Sequence, residues 1–207
     1  MRRSADAPTG GADDKRERIL EAAIRCFGER GYHGTRTVDI AREAGVGEGT
    51  IYNHFRDKAD LFRSVVECIS RRIDAIRTVA RPNVRPRERF LAMMEDVEHY
   101  FHAHPSHADI LSRDLRHRDV SDIHLAFSQR HVSDVAHHLG ELAVEAGCPV
   151  SESVLQTLAL SLTGALDIIL ARWCALNHQG PMQPSPVEHV RAFLAIIEGG
   201  AKGGDRP

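Results

Sequence analysis

Between Thr37 and Lys58 the chain reads TVDIAREAGVGEGTIYNHFRDK, a stretch rich in side chains that hold phosphate oxygens and read base edges. Thr37, Thr50, Tyr52, His54 and Lys58 supply hydroxyls, an imidazole and an ammonium, which suit phosphate and fix position without reading sequence. Asn53 can pair with an adenine edge and Glu48 can accept from a cytosine amine. A good bidentate pair of this kind discriminates by about 1–3 kcal/mol. Gly49 has no side chain, which leaves room for a backbone to approach closely.

These residues need a frame to aim them. Thr37–Ala44 is short and amphipathic, Gly45-Val46-Gly47 makes a tight turn, and Glu48–Phe55 predicts a second short helix. That is helix-turn-helix geometry, in which the second helix enters the major groove. Helices this short do not stand alone, so Ile40, Ala41, Ile51 and Phe55 must pack inward. The brace is a helix over about Asp14–Arg30, with Ile19, Leu20, Ala23, Ile24 and Phe27 on one face and Gly31 as its stop. Asp57 caps the following helix, with Asp60 three positions on completing the pattern of a capping box. The stripe Leu61, Phe62, Val65, Val66, Ile69, Ile73, Ile76 and Val79 predicts that this helix runs to about Ala80. It is longer than a small head needs and is the natural lever to the rest of the chain.

The pattern T-x-x-I-A-x-x-A-G-V-x-x-G-T-x-Y-x-H-F-x-x-K, as it stands from Thr37 to Lys58, resembles the N-terminal signature of the TetR family of transcriptional regulators. The resemblance extends over about Lys15–Leu61 and implies an all-α homodimer that binds DNA and answers to a small molecule held in its C-terminal domain. It also implies phosphate contacts at Thr37, Thr50, Tyr52, His54 and Lys58. Gly47 departs from the serine common at that position in the family. Glycine in its place costs only a few tenths of a kcal/mol.

The remaining residues predict helices over about 87–104, 106–116, 120–146 and 151–177, and one from Pro186. The architecture expected is therefore all-α, about nine helices, a three-helix head followed by a bundle. Residues 1–13 are expected to form a disordered arm, from which Arg2 and Arg3 could reach a minor groove. Residues 14–60 form the head, 61–199 the ligand-binding and dimerisation domain, and 200–207 a flexible tail. Phe90, Met93, Met94, Val97, Phe101, Phe127, Leu166 and Trp173 are the candidate lining of a pocket for an apolar or aromatic ligand. The helix over 151–177 is apolar on more than one face, so it must bury more than one. With the last helix it suits a symmetric four-helix dimer interface. Two recognition helices about 34–36 Å apart would then read a palindromic operator.

Composition narrows the function classes. A formal net charge of −2 over 207 residues argues against bulk attraction to nucleic acid, so contact must come from a local patch. Cys26, Cys68, Cys148 and Cys174 form no CxxC pair, which fits a reducing cytoplasm better than a disulfide framework. No apolar run near 20 residues is evident, so no membrane segment is expected. Nucleophile elbow, phosphate loop and H-E-x-x-H are absent, and neither an enzyme nor a cofactor is expected. The histidines offer a rival. His117, His124, His131 and His138 recur every seven residues, about 10.5 Å apart along one helix, too far to chelate together. His99 and His102 could share a metal with Asp109 or Asp114, although solvated faces are the favoured reading for both sets. The expected function is a repressor released from DNA by a small molecule; an activator or a metal-responsive regulator of the same architecture is the alternative.

Overall fold

The computed structural model describes residues 12–79, 81–114, 121–148 and 150–203. Within them it holds nine α-helices and no strand. Arg2, Arg3 and His117 lie outside the described residues.

The head comprises α1 (Ala12–Gly34), α2 (Thr37–Ala44) and α3 (Glu48–His54). Gly31, at φ 75°, breaks the helical path of α1 where the glycine stop was expected. Its position is clamped by the Thr35 hydroxyl, which lies 2.8 Å from the Gly31 carbonyl and 2.9 Å from that of Cys26. Gly45, at φ 66°, ends α2 in the left-handed region and donates to the Ala41 and Arg42 carbonyls, the αL cap that glycine adopts without a Cβ penalty. Ile19, Ile24, Phe27, Ile40, Ile51 and Phe55 are all buried in the centre.

The next helix, α4 (Lys58–Arg77), starts in the head and ends in the bundle. Asp57 accepts from the Asp60 amide at 2.8 Å, and Asp60 reaches back to the Arg56 amide rather than to that of Asp57. The Phe62 ring meets Phe27 edge-on at 5.2 Å and Tyr32 at 5.0 Å, so the head's core continues into α4. The helix stops three residues before Ala80. Thr78 leaves the helical region and turns its hydroxyl back on the Asp74 carbonyl, and Val79 is half exposed, outside the stripe.

The bundle contains α5 (Pro86–Ala103), α6 (Pro105–Asp109), α7 (Ser121–Glu145), α8 (Glu152–Ala175) and α9 (Pro186–Gly203). A π-helical turn, Ile110–Asp114, continues α6. The α9 helix runs to Gly203, beyond residue 199 where the sequence placed the end of the bundle and the start of a tail. Helix α6 lies close against α1: a Cβ on Gly28 would sit 2.6 Å from that of Ser106. From the turn after α6, Arg113 donates to the Phe27 and Gly28 carbonyls at 3.0 and 2.9 Å. Head and bundle are therefore joined twice, through α4 and through α6.

Helix α8 corrects one sequence expectation. It is long and apolar enough, by length and composition, to cross a membrane. Ala159, Leu162, Leu166, Ile169 and Trp173 form its buried face, whereas Leu160 and Ile168 are exposed. A core helix with one buried apolar face passes the same test.

Candidate nucleic-acid interface and bundle cavity

Glu48, Gly49, Tyr52 and Asn53 are exposed on one side of α3, and Thr50 and His54 are half-buried beside them. Ile51 and Phe55 face inward, so the sequence pattern separated the exposed face of α3 from its packing face. Nothing lies within 4 Å of a Cβ placed on Gly49; the open face is available for close approach.

Thr37 links α2 to α3. Its hydroxyl donates to Glu48 Oε1 at 2.8 Å and lies 3.1 Å from the Tyr52 hydroxyl. Thr37 has one proton to give, so with that proton on Glu48 the Tyr52 hydroxyl donates to Thr37. Three residues singled out for DNA contact thus form one hydrogen-bonded row. An acceptor taking the Thr37 proton would replace the Glu48 carboxylate, and one taking the Tyr52 proton would replace the Thr37 oxygen.

Lys58 is placed differently from a free phosphate ligand. Its ammonium donates to the Tyr32 and Thr35 carbonyls at 2.9 and 3.2 Å and lies 4.5 Å from the Tyr32 ring centre. An ammonium has three protons, so two tie the α1–α2 turn to α4 and one remains for a phosphate. The sequence reading passed over Arg36, Arg42 and Arg56. All three are exposed, and each pairs with an aspartate: Arg36 and Arg42 with Asp39, Arg56 with Asp60. Arg36 above all holds the Asp39 carboxyl below its usual range, with Arg30 and Arg42 adding to the effect. Adjacency to Thr37 was the one available signal for Arg36; no spacing rule marks the others.

A partly open cavity of about 80 Å³ lies between α4, α5, α7 and α8. Met94, Val97, Phe101, Phe127 and Leu166 line it as expected. Phe90, Met93 and Trp173 do not. Phe90 is fully buried against the His138 ring at 5.3 Å, Met93 is core, and Trp173 donates to the Gly180 carbonyl at 2.9 Å. Helical periodicity finds the inward face but cannot tell which part of it fronts a void.

The cavity also has polar walls that an apolar stripe does not reveal. Arg77 and Ile73 enter it from α4, His131 from α7, and Thr163 and Asp167 from α8. Arg77 pairs with Asp134 at 3.0 Å and contacts the His131 ring. Burial first, and Arg77 second, push His131 down to about 3, so it is neutral and accepts from the guanidinium. The Thr163 hydroxyl is buried with no hydrogen-bond partner.

His131 and His138 correct the expectation of a solvated histidine face. His131 fronts the cavity, and His138 is largely buried 3.4 Å from Glu141. His99 and His102 do not converge on Asp109. His102 packs on the Trp173 ring at 4.8 Å, while Asp109 instead meets His178 at 3.2 Å.

The architecture and the α2–α3 geometry define a helix-turn-helix head carried by a helical bundle. Over residues 19–65 the chain matches the family model of bacterial regulatory proteins, tetR family. It is 33% identical over 100 residues to the "HTH-type transcriptional repressor KstR2" of Mycobacterium tuberculosis, covering 46% of this chain and 50% of that one. It is 31% identical over 103 residues to the "HTH-type transcriptional activator FasR" of Mycolicibacterium smegmatis, covering 45% and 47%. The chain thus spans half or less of the length of these curated relatives. The fold is similar to that of the transcriptional regulator FadR from Bacillus subtilis in complex with stearoyl-CoA, with TM-score 0.74 and 19% identity over 89% of this chain and 98% of that one.

Proposed function

We propose that the chain is a homodimeric, DNA-binding transcriptional repressor of the cytoplasm, released from a palindromic operator by a small, largely apolar effector. The observation that carries this reading is the course of α4. It begins at Lys58, bonded to the head, and ends at Arg77, in the cavity wall. One helix of 20 residues spans about 30 Å and ties the spacing of the heads to the contents of the cavity.

The cavity is too small for a drug-sized ligand, which needs roughly 300–1,000 Å³. Effector binding must therefore spread the surrounding helices, and that is the differential interaction an allosteric ligand requires. Its chemistry is an apolar body with one polar group to satisfy Thr163; the FadR regulator is seen in complex with stearoyl-CoA, whose acyl chain supplies an apolar body of that kind. Dimerisation uses α8 and α9, where Leu160, Ile168 and Ile196 are exposed at 61%, 67% and 75%. An activator of the same architecture is the second reading, favoured by the relative named as one.

The test is selection of genomic fragments by the purified chain, followed by binding to the recovered operator with and without acyl-CoA thioesters. Palindromic, salt-dependent sites released by such a ligand support the proposal. Binding that an effector tightens would instead support the activator. Failure to enrich any fragment would overturn both.

A further inference from the structure

Away from the cavity lining and the reading face, three side chains of metal-binding type converge where α6, the end of α8 and the following loop meet. Asp109 is the last residue of α6, Cys174 lies one residue before the end of α8, and His178 lies in the loop beyond. One carboxylate oxygen, the thiol sulfur and one ring nitrogen all lie within 4.8 Å of one another. We propose that Asp109, Cys174 and His178 bind a divalent transition-metal ion of the zinc class, fastening α6 to the end of α8.

The donor set is the first argument. A carboxylate, a thiolate and an imidazole are the ligands of tetrahedral zinc sites, and a soft sulfur disfavours magnesium and calcium. One aspartate and one cysteinate also balance the charge of a dication. The geometry is the second. His178 Nε2 is 3.2 Å from Asp109 Oδ1 yet is buried without an aligned hydrogen bond. Two ligands on one tetrahedral ion, with bonds of about 2.0–2.1 Å, stand roughly 3.3 Å apart. The widest separation in the set must close by about 1 Å, within reach of a side-chain rotation.

The backbone is arranged to present the histidine. Asn177 and His178 both adopt the left-handed region, at φ 50° and 58°, which non-glycine residues avoid unless the surroundings hold them there. The Trp173 ring packs against His178 at 4.5 Å, and its indole N–H anchors the loop at Gly180. Cys174 interacts with Asp109 and Ser112. Burial pushes the Cys174 thiol up to about 11, Ser112 and Arg113 act against that rise, and Arg113 also donates to the Phe27 and Gly28 carbonyls. On binding, the thiol proton leaves to solvent and the sulfur coordinates as thiolate; no oxidation state changes.

The site sits where it can be felt. Asp109 ends the helix that lies against Gly28 of α1, and neighbouring Ser112 lines the cavity. An ion here couples the end of α8 to the head through α6, a route separate from α4.

The experiment uses the full chain stripped with chelator, titrated with cobalt(II) followed by absorbance, and with zinc against a chelating dye. The wild-type chain should bind one cobalt ion with a thiolate-to-metal charge-transfer band and tetrahedral d–d intensity. Cys174→Ser should abolish the band, whereas replacing the exposed Cys148 by serine should leave it intact. His178→Gln should weaken zinc binding by at least about 10-fold, with unchanged helicity confirming that it folds. Absence of a band in the wild-type chain, or a band that survives Cys174→Ser, would overturn the proposal. A bare Asp109–His178 ion pair gives the first of those results. Neither measurement involves DNA or effector, so failure here is distinct from failure of the repressor reading.

Discussion

Replacing Gly28 by alanine sets two opposed terms against each other at the junction of head and bundle. In an open helix the exchange stabilises by about 0.8–1 kcal/mol. Here the new Cβ would lie 2.6 Å from the Ser106 Cβ, 3.1 Å from its Cα and 3.3 Å from its carbonyl oxygen. Overpacking of this kind costs about 1–3 kcal/mol, and since backbone atoms stand behind the side chain, the clash wins. The expected result is a net loss of up to about 2 kcal/mol. That corresponds to a fall in Tm of roughly 2–4 °C per kcal/mol for a chain of this size. Urea denaturation at fixed protein concentration measures it, because dimerisation would otherwise shift the midpoint. The Ser106→Gly background removes the shortest contact, so Gly28→Ala should be milder there, with a coupling of about 1 kcal/mol. If Gly28→Ala stabilises the chain by the full helix-propensity gain while Ser106 is intact, α1 and α6 are not in the contact described.

Thr163→Val removes a buried hydroxyl that has no partner and should stabilise the ligand-free chain by about 1–3 kcal/mol while weakening a polar effector; a lower Tm would show that the hydroxyl is satisfied. Tyr52→Phe breaks the row to Thr37 and Glu48 and should weaken binding to all DNA sequences alike, whereas Asn53→Ala should relax preference at one base position. Equal losses on every sequence for Asn53→Ala would remove it from the base readers. His107 is buried with Tyr100 at 2.7 Å and is pushed from 6.5 to about 4, chiefly by burial and next by His104. Between those values the unfolded chain binds the extra proton, so stability should fall as pH drops from about 6.5 towards 4. In His107→Gln, urea midpoints across that range should show a shallower slope, and an unchanged slope would refute the assignment.

The head was legible because its signals are local. Gly31 and Gly45 sit where positive φ is required, Asp57 caps the helix it precedes, and the buried Ile51 and Phe55 stand one helical turn apart. Each is a consequence of a few neighbouring residues. The same periodicity put Met94, Val97 and Phe101 on the buried face of α5, but nominating Phe90, Met93 and Trp173 for the pocket asked more of it than it holds. Whether an inward residue meets a neighbour or a void depends on how several helices are spaced.

The exposed residues of α3, their separation from the packing face and the helical class of the described residues were therefore determined by the sequence alone, since turn chemistry and side-chain period act over one or two turns. Tertiary structure decided what those residues do at rest. It joined Thr37, Tyr52 and Glu48 in one row and turned Lys58 onto two carbonyls. It buried Arg77 and His131 at the cavity wall, and gathered Asp109, Cys174 and His178 from positions up to 69 residues apart. Contacts over such separations follow from the packing of whole helices, which no local pattern encodes.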